Sequence, residues 1–439
     1  MASADSVAAI ATAPGRGAVG VVRVSGRMAS AIAQAITGKV LPERVATYAE
    51  FRDADGVVVD AGLALWFPAP RSFTGEDVLE LQGHGGPAVL ATLLERCMAL
   101  GARMARPGEF TERAFLNGKL DLAQAESVAD LIEATSAIAA RAAMRSLRGE
   151  FSQRIEELAY ALVDLRIVVE SSLDFPEEGI DAQGATAEVL AQIREHLRLV
   201  QEAARQGHLL REGVQVAISG SPNVGKSSLL NRLVGEDLAI VTDIPGTTRD
   251  TLRASIELEG IPFNLVDTAG LRSTDDPVER IGVARAQAAA AEADVVLQVV
   301  DVGIAEAMRP CPNGRLIVVE NKIDLYGIPP GLRHQGGAPI VRLSAMTGSG
   351  LSCLRAALLE AAGWTPPQPE GVYAARARHL EALVRASQAL ERAAAFGVDQ
   401  ADLLAEELRY AHDSLGAIIG KMSPDELLGE IFSRFCIGK

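Results

Sequence analysis

A short β-type run, Val214–Ser219, ends on Gly220-Ser221-Pro222-Asn223-Val224-Gly225-Lys226-Ser227, which fits G-x-x-x-x-G-K-[ST]. The chain then passes into helix-compatible Ser228-Leu229-Leu230-Asn231-Arg232-Leu233. Strand, glycine-rich loop and helix in that order point to a phosphate-binding α/β fold. The glycines let backbone N–H groups converge on phosphate oxygens, and the helix N-terminus adds its dipole. Lys226 would supply charge to the β- and γ-phosphates, and the Ser227 hydroxyl would ligate Mg²⁺. Taken alone, the segment also fits an ordinary glycine-rich strand–helix turn.

Three further elements remove that ambiguity. The β-run Phe263-Asn264-Leu265-Val266-Asp267 leads into Thr268-Ala269-Gly270, where Asp267 would hold the Mg²⁺ shell and the Gly270 N–H would sense the γ-phosphate. A third apolar strand over 315–320 delivers Asn321-Lys322-Ile323-Asp324. The Asp324 carboxylate is suited to guanine N1–H and the 2-amino group, a pair adenine cannot present. A site built on such paired polar groups discriminates by about 10⁴-fold or more. After another strand, 340–343, Ser344-Ala345-Met346 offer backbone N–H groups to guanine O6. Motif order and strand-end placement agree with ligands sitting at the carboxyl ends of parallel strands. The expectation is a guanine-nucleotide site that takes GTP.

Strand and helix alternate only from 215 to about 362. Before that, residues 1–118 hold glycine clusters (Gly15/Gly17/Gly20, Gly83/Gly85/Gly86) and short β-prone runs at 19–24, 64–67 and 78–81, with a helix expected over 87–101. This reads as a small α+β domain. From 121 to 173 the pattern is helical, with Ile155, Leu158, Leu162, Leu165 and Val169 marking one apolar stripe. A second helix runs over 185–210. Past the Pro-rich stretch Trp364-Thr365-Pro366-Pro367-Gln368-Pro369, helices return over 372–435. An α/β domain flanked by helical segments at both ends is best explained as an insertion into one helical domain. The expected parts are therefore 1–118, 119–210 (helical, first part), 211–363 (inserted G domain) and 364–439 (helical, second part).

The 439 residues carry a formal net charge of −15, which argues against strong autonomous nucleic-acid binding, because phosphate neutralisation needs clustered Lys and Arg. RNA reached through a local basic patch or a basic partner stays open. Cys97, Cys311, Cys353 and Cys436 lie far apart without C-x-x-C spacing, which suggests neither a zinc site nor a disulfide framework. No run of about 18 apolar residues and no signal-peptide core stands out. The chain is expected to be cytoplasmic, with no membrane association.

With Asp267-Thr268-Ala269-Gly270-Leu271 in hand, the G domain resembles the Era-like GTPases. Leu271 stands where Ras-like switches carry the water-orienting Gln, so hydrolysis must be assisted otherwise. The rest of the chain narrows the resemblance. Its C-terminus reads Phe435-Cys436-Ile437-Gly438-Lys439, and its N-terminal part carries Arg23-Val24-Ser25-Gly26, Thr74-Gly75-Glu76-Asp77 leading to Glu80, Gly83-His84-Gly85-Gly86 and Asn117-Gly118-Lys119-Leu120-Asp121. Over essentially its full length the chain resembles the MnmE (TrmE) tRNA-modification GTPases. The fold so implied is multi-domain α/β plus α. An N-terminal α+β folate-binding and dimerisation domain joins a central helical domain, into which a Ras/Era-like P-loop G domain is inserted, its mainly parallel sheet carrying helices on both faces.

The resemblance implies a homodimer that works with an MnmG-like, FAD-dependent partner in a heterotetramer. The pair would add a carboxymethylaminomethyl or aminomethyl group to C5 of the wobble uridine of certain tRNAs. A 5-formyl- or 5,10-methylene-tetrahydrofolate would supply the one-carbon unit. It maps the folate pocket to Arg23, Glu80, Lys119 and Lys439, a sensible set because a carboxylate suits the pterin's donor edge and cations suit the glutamate tail. It maps K⁺ contacts to Asn223 of the phosphate loop and to Thr242, Ile244 and Thr247 of a second nucleotide-binding loop, Thr242-Asp243-Ile244-Pro245-Gly246-Thr247-Thr248, and Mg²⁺ contacts to Ser227 and Thr248. Carbonyl and amide oxygens suit a hard monovalent cation, which would act on developing charge as an arginine finger does. Glu279, in Val278-Glu279-Arg280, takes the place of the family's catalytic Glu. Cys436 is either a nucleophile, which would need a depressed thiol pKa, or a small residue packing the tail. His84 reads as structural or pocket-lining rather than a metal ligand. Two alternatives share the G domain: an Era-like ribosome-assembly GTPase, which would normally add a basic RNA-binding module, and a regulatory switch without a part in chemistry.

Overall fold

The computed structural model describes residues 5–174, 182–236, 253–267, 293–304, 315–365, 371–396, 400–421, 425–433, 435 and 438. The chain forms two compact units. One comprises Met1–Ile132, Met144–Leu197 and Ala382–Lys439, and the other Glu133–Ala143 and Arg198–Glu381.

The first unit opens with strands β1 (Ser6–Ile10) and β2 (Gly17–Ser25), helix α1 (Ala29–Thr37), and strands β3 (Thr47–Arg52), β4 (Val58–Phe67) and β5 (Val78–Gly85). Helix α2 (Pro87–Ala99), strand β6 (Ala102–Met104) and helix α3 (Glu109–Leu116) follow. The sheet order is β3-β4-β5-β2-β1-β6, antiparallel except for the β1–β6 pair. Period-two alternation sends Phe51, Ala64, Leu79, Leu81, Val22 and Val24 to one face, where Ile32 and Ile36 of α1 and Leu90, Leu93 and Leu94 of α2 cover them. Pro87 starts α2 at a position where a missing N–H costs nothing. Cys97 lies on that buried face, and burial pushes its thiol up to about 12, so it is a packing residue rather than a reactive one.

The region expected to be helical from 121 to 173 is three helices: α4 (Leu122–Glu133), α5 (Ala137–Leu147) and α6 (Glu150–Asp174). The stripe Ile155, Leu158, Leu162, Leu165 and Val169 is buried along α6 as its spacing requires. Helix α7 (Ala182–Glu212) leads to the second unit.

There the elements are β7 (Val214–Ser219), α8 (Lys226–Glu236), β8 (Arg253–Leu258), β9 (Ile261–Asp267), β10 (Val295–Asp301), β11 (Arg315–Asn321), α9 (Ile323–Tyr326), β12 (Gly331–Gln335), β13 (Ala338–Arg342) and α10 (Leu351–Ala362). The sheet order is β12-β13-β11-β10-β7-β9-β8. The five central strands are parallel, and the edge strands β12 and β8 are antiparallel to their neighbours. Near-continuous apolar runs in β7, β10 and β11 match strands buried on both faces. The chain leaves β7, fills one side of the sheet with β9 and β8, and crosses to the other side with β10. The order therefore reverses at β7, where an open α/β sheet places its ligand crevice.

Helices α11 (Ala377–Ala393), α12 (Ala401–Ile419) and α13 (Asp425–Ser433) complete the chain. In the first unit α12 packs along α6, and Ile431, Phe432 and Phe435 join Leu122, Ala125 and Ala129 of α4 in one apolar cluster. No helix among the described residues is long and apolar enough to cross a membrane.

Candidate functional sites

The loop between β7 and α8 turns through two glycines that no other residue would replace easily. Gly220 has φ +144°, and a Cβ there would stand 2.1 Å from the Val299 carbonyl oxygen. Gly225 has φ +100°, and its Cβ would stand 2.3 Å from Asn321 Nδ2. Between them Asn223 adopts φ 66° with its side chain exposed. Lys226 is buried at the start of α8, and its Nζ donates to the carbonyls of Gly220 and Ser221, both at 2.8 Å. The ammonium is thus held over the loop it serves. Ser227 and Ser228 follow with exposed side chains, and Val224 is buried beneath them.

Asn321 ties this loop to the loop after β13. Its Nδ2 donates to the Val224 carbonyl at 2.8 Å, while its Oδ1 accepts the Ala345 N–H at 2.9 Å. The side chain is 2% exposed, so both bonds are made away from water. Lys322 takes φ 68° and reaches back to Asp301 at the end of β10, Nζ to Oδ2 2.9 Å. The Lys322 ammonium and the Gly303 N–H hold the Asp301 carboxyl below its ordinary range. Asp324 is exposed at the start of α9, the position from which a carboxylate can meet a base edge. In the Ser344-Ala345-Met346 loop the Ser344 N–H is taken by the Ser349 carbonyl and the Ala345 N–H by Asn321, while Met346 is exposed.

Asp267 ends β9 in register with Ile218 of β7. Thr242, Asp243, Ile244, Pro245, Gly246, Thr247, Thr248, Thr268, Ala269, Gly270 and Glu279 lie outside the described residues, as do Cys436 and Lys439.

Two side chains of this site carried no role in the sequence reading. Arg232, one and a half turns beyond Lys226 on α8, donates through Nε to the Ala345 carbonyl at 3.2 Å and through Nη2 to the Met346 carbonyl. Asp301 is the partner of Lys322. Neither motif spacing nor residue type marks them, because each acts across the sheet on a segment distant in sequence.

A second cluster sits in the first unit. Arg23 of β2 and Glu80 of β5 are cross-strand partners, and the guanidinium grips Glu80 Oε1 twice, from Nε at 3.0 Å and Nη2 at 2.8 Å. Gln82 Nε2 donates to the other oxygen at 3.3 Å. The Arg23 guanidinium lies 6.0 Å from the Phe73 ring centroid and 5.7 Å from that of Phe110. Lys119 is exposed, with its Cε 3.5 Å from where a Cβ on Gly75 would stand. From the tail, Gly438 is buried against β1, and a Cβ on it would come within 2.3 Å of the Ile10 carbonyl oxygen. Ala9, next to Ile10, is the cross-strand partner of Arg23. Gly438 thus lies beside the strand that pairs with β2 at Arg23.

Beneath this cluster runs a buried ionic network. Arg113, 4% exposed, donates to Glu76 Oε2 at 2.9 Å, to Asp5 Oδ1 at 2.9 Å and to Glu109 Oε1 at 3.1 Å. Glu76 also accepts from Ser25 Oγ at 2.8 Å, and Asn117 Nδ2 donates to the Thr74 carbonyl at 2.7 Å. These bonds fix the 74–76 turn against the segment that carries Lys119. His84, by contrast, is exposed and bonded through Nδ1 to Asp60 Oδ1 at 2.7 Å. No group of three metal-ligating side chains forms among the described residues.

The model of the MnmE helical domain matches residues 122–436, and that of the GTP-binding protein TrmE N-terminus matches residues 6–119. The chain belongs to the MnmE family. Relatives named tRNA modification GTPase MnmE are 56% identical over 451 residues in Nitrosomonas europaea, covering 100% of each chain. In Azoarcus sp. the identity is 56% over 445 residues, covering 99% of this chain and 98% of the relative. In Neisseria meningitidis it is 53% over 443 residues, covering 99% of each. The match at both ends of this MnmE-family chain includes Arg23, Glu80 and the helices that flank the α/β unit.

Proposed function

We propose that this MnmE-family chain hydrolyses GTP and that the hydrolysis serves tRNA modification, the activity for which its relatives are named. The observation that carries the reading is the bridge made by Asn321. One buried amide joins the phosphate loop at Val224 to the base loop at Ala345, so the two loops form the ends of one crevice. Lys226 binds the β- and γ-phosphates by exchanging the Gly220 and Ser221 carbonyls for phosphate oxygens. Asp324 reads the N1–H and 2-amino edge of guanine, and the backbone at 345–346 meets O6.

The exposed Ser227 hydroxyl at the head of α8 fits a Mg²⁺ ligand, with Thr248 as its companion and Asp267 holding the outer shell. When bound, Mg²⁺ neutralises charge on the β- and γ-phosphate oxygens. Asn223, exposed in its left-handed turn, fits the K⁺ contact assigned to it, together with Thr242, Ile244 and Thr247. Glu279 is the residue assigned to position water. GTPase rates compared in KCl and NaCl test the cation assignment: a severalfold stimulation by K⁺ is expected, and equal rates would refute it.

For the first unit the reading is a reduced-folate site at Arg23, Glu80, Lys119 and Lys439. The Arg23–Glu80 pair, flanked by Phe73, fits a flat heterocycle with a donor edge. The one-carbon unit it supplies would go to the wobble uridine with an FAD-dependent partner, and two copies of this chain would pair through the N-terminal domain. That pairing is supported by the sheet face turned away from α1 and α2, where Tyr48 is 66% exposed opposite Leu63 at 40%. Light scattering of the purified protein checks the stoichiometry, and co-purification with tRNA and a flavoprotein checks the partners. A monomer would refute the pairing.

A further inference from the structure

Arg232 reaches from the phosphate-loop helix to the base loop, and nothing in the phosphate chemistry requires it to do so. Its Nε donates to the Ala345 carbonyl at 3.2 Å and its Nη2 to the carbonyl of the next residue, Met346. Asn321 Oδ1 holds the same stretch from the other side, through the Ala345 N–H. The loop is therefore gripped on both backbone edges, by a buried amide from β11 and by a guanidinium fork from α8. A planar fork with several donors suits two consecutive carbonyls in a way that a single ammonium does not. Drawing those carbonyls toward Arg232 fixes the peptide planes whose N–H groups point the other way. At Met346 that N–H is engaged by no hydrogen bond among the described residues.

We infer that Arg232 is a positioning residue for guanine recognition. It orients the 345–346 peptide so that its N–H side faces O6 of the base, and it thereby sets how long a guanine nucleotide stays bound. The inference rests on the reading of this crevice as a guanine site. It adds that the helix touching the phosphates also clamps the base loop, so retention of the base depends on α8. Phosphate binding and O6 recognition then share one rigid element rather than two independent loops.

The experiment measures nucleotide dissociation by stopped-flow in Mg²⁺ for the full chain and for Arg232→Ala and Arg232→Lys. Each is tested with GDP and with 2-aminopurine riboside 5′-diphosphate, which keeps the 2-amino group but lacks O6 and, with it, the N1–H. For Arg232→Ala, GDP is expected to leave about tenfold faster, and the analogue's rate to change less than twofold. Arg232→Lys, able to serve one carbonyl, is expected to fall between, and it keeps the test valid should the alanine variant fold poorly. An equal acceleration for both ligands would overturn the inference, since it would mean a general loosening of α8. Unchanged GDP dissociation in both variants would also overturn it. If the unsubstituted protein holds GDP no longer than the analogue, the guanine-site reading itself fails and takes the clamp with it.

Discussion

Replacing Asn321 with Ala removes one buried side chain and leaves two buried backbone groups alone. The Val224 carbonyl loses its donor at 2.8 Å, and the Ala345 N–H loses its acceptor at 2.9 Å. Each unsatisfied buried group costs about 1–3 kcal/mol, so the pair costs roughly 2–4 kcal/mol once partial solvent entry is allowed for. The cost falls on the geometry that nucleotide binding needs, because the crevice keeps its shape only while both loops are latched. If all of it appears in binding, the GDP affinity drops by roughly 30- to 900-fold. Isothermal titration gives that number directly, and hydrogen exchange at the Ala345 amide reports the latch itself. Asn321→Asp is the informative companion. It keeps the acceptor for Ala345 but puts a carboxylate oxygen against the Val224 carbonyl, so it is expected to be no better than alanine. A loss below fivefold with Ala345 exchange unchanged would refute the latch.

Asp324→Asn replaces a carboxylate that accepts twice with an amide that accepts and donates, so preference should move from GTP toward XTP; competition binding with both nucleotides measures it, and retained GTP preference would contradict the base assignment. Glu80→Ala leaves the Arg23 guanidinium without its carboxylate, and binding of a reduced folate, followed by fluorescence quenching, should weaken by at least tenfold. Acid should unfold the first unit in a way Glu109 controls. Burial pushes its carboxyl up, but hydrogen bonds from Arg103, the Arg106 N–H and Arg113 outweigh that and hold it at about 2 rather than 4.5. A depressed carboxylate stabilises fully above the unfolded value and loses its contribution as pH falls from about 4.5 to about 2, here on the order of 3 kcal/mol. Glu109→Gln should lower stability at neutral pH and flatten the circular-dichroism acid titration across that window; an unchanged slope would count against the network.

What could be read from the residues alone follows the range of the forces involved. The phosphate loop was legible because its chemistry is local: two glycines, a lysine and a serine act within eight residues, and the β7–loop–α8 frame is written in the same stretch. Asn321 was legible as part of a nucleotide motif but not as a latch. Its partners Val224 and Ala345 lie 97 and 24 residues away, and only the β7-β10-β11-β13 order brings them together. The same holds for Arg232, whose helical spacing marks it as one more charged residue on α8 until the fold brings the base loop alongside.

The first unit shows the opposite balance. Arg23 and Glu80 came from family resemblance and not from spacing, since 57 residues separate them and either could serve as a solvated charge. Strand register alone makes them a pair, because β2 and β5 align Arg23 with Glu80 on the face that α1 and α2 leave uncovered. Once aligned, the carboxylate is held by Arg23 on one oxygen and Gln82 on the other, so any ligand donor must displace or share one of those bonds. Gln82 is the weaker holder, at 3.3 Å and without charge. A heterocycle with a donor edge should therefore enter on the Gln82 side and leave the Arg23 grip intact. The second Glu80 oxygen would then do the recognising. Gln82→Ala should consequently tolerate or improve folate binding, whereas Arg23→Ala should abolish it. Equal losses from the two would mean that the ligand takes the Arg23 side instead.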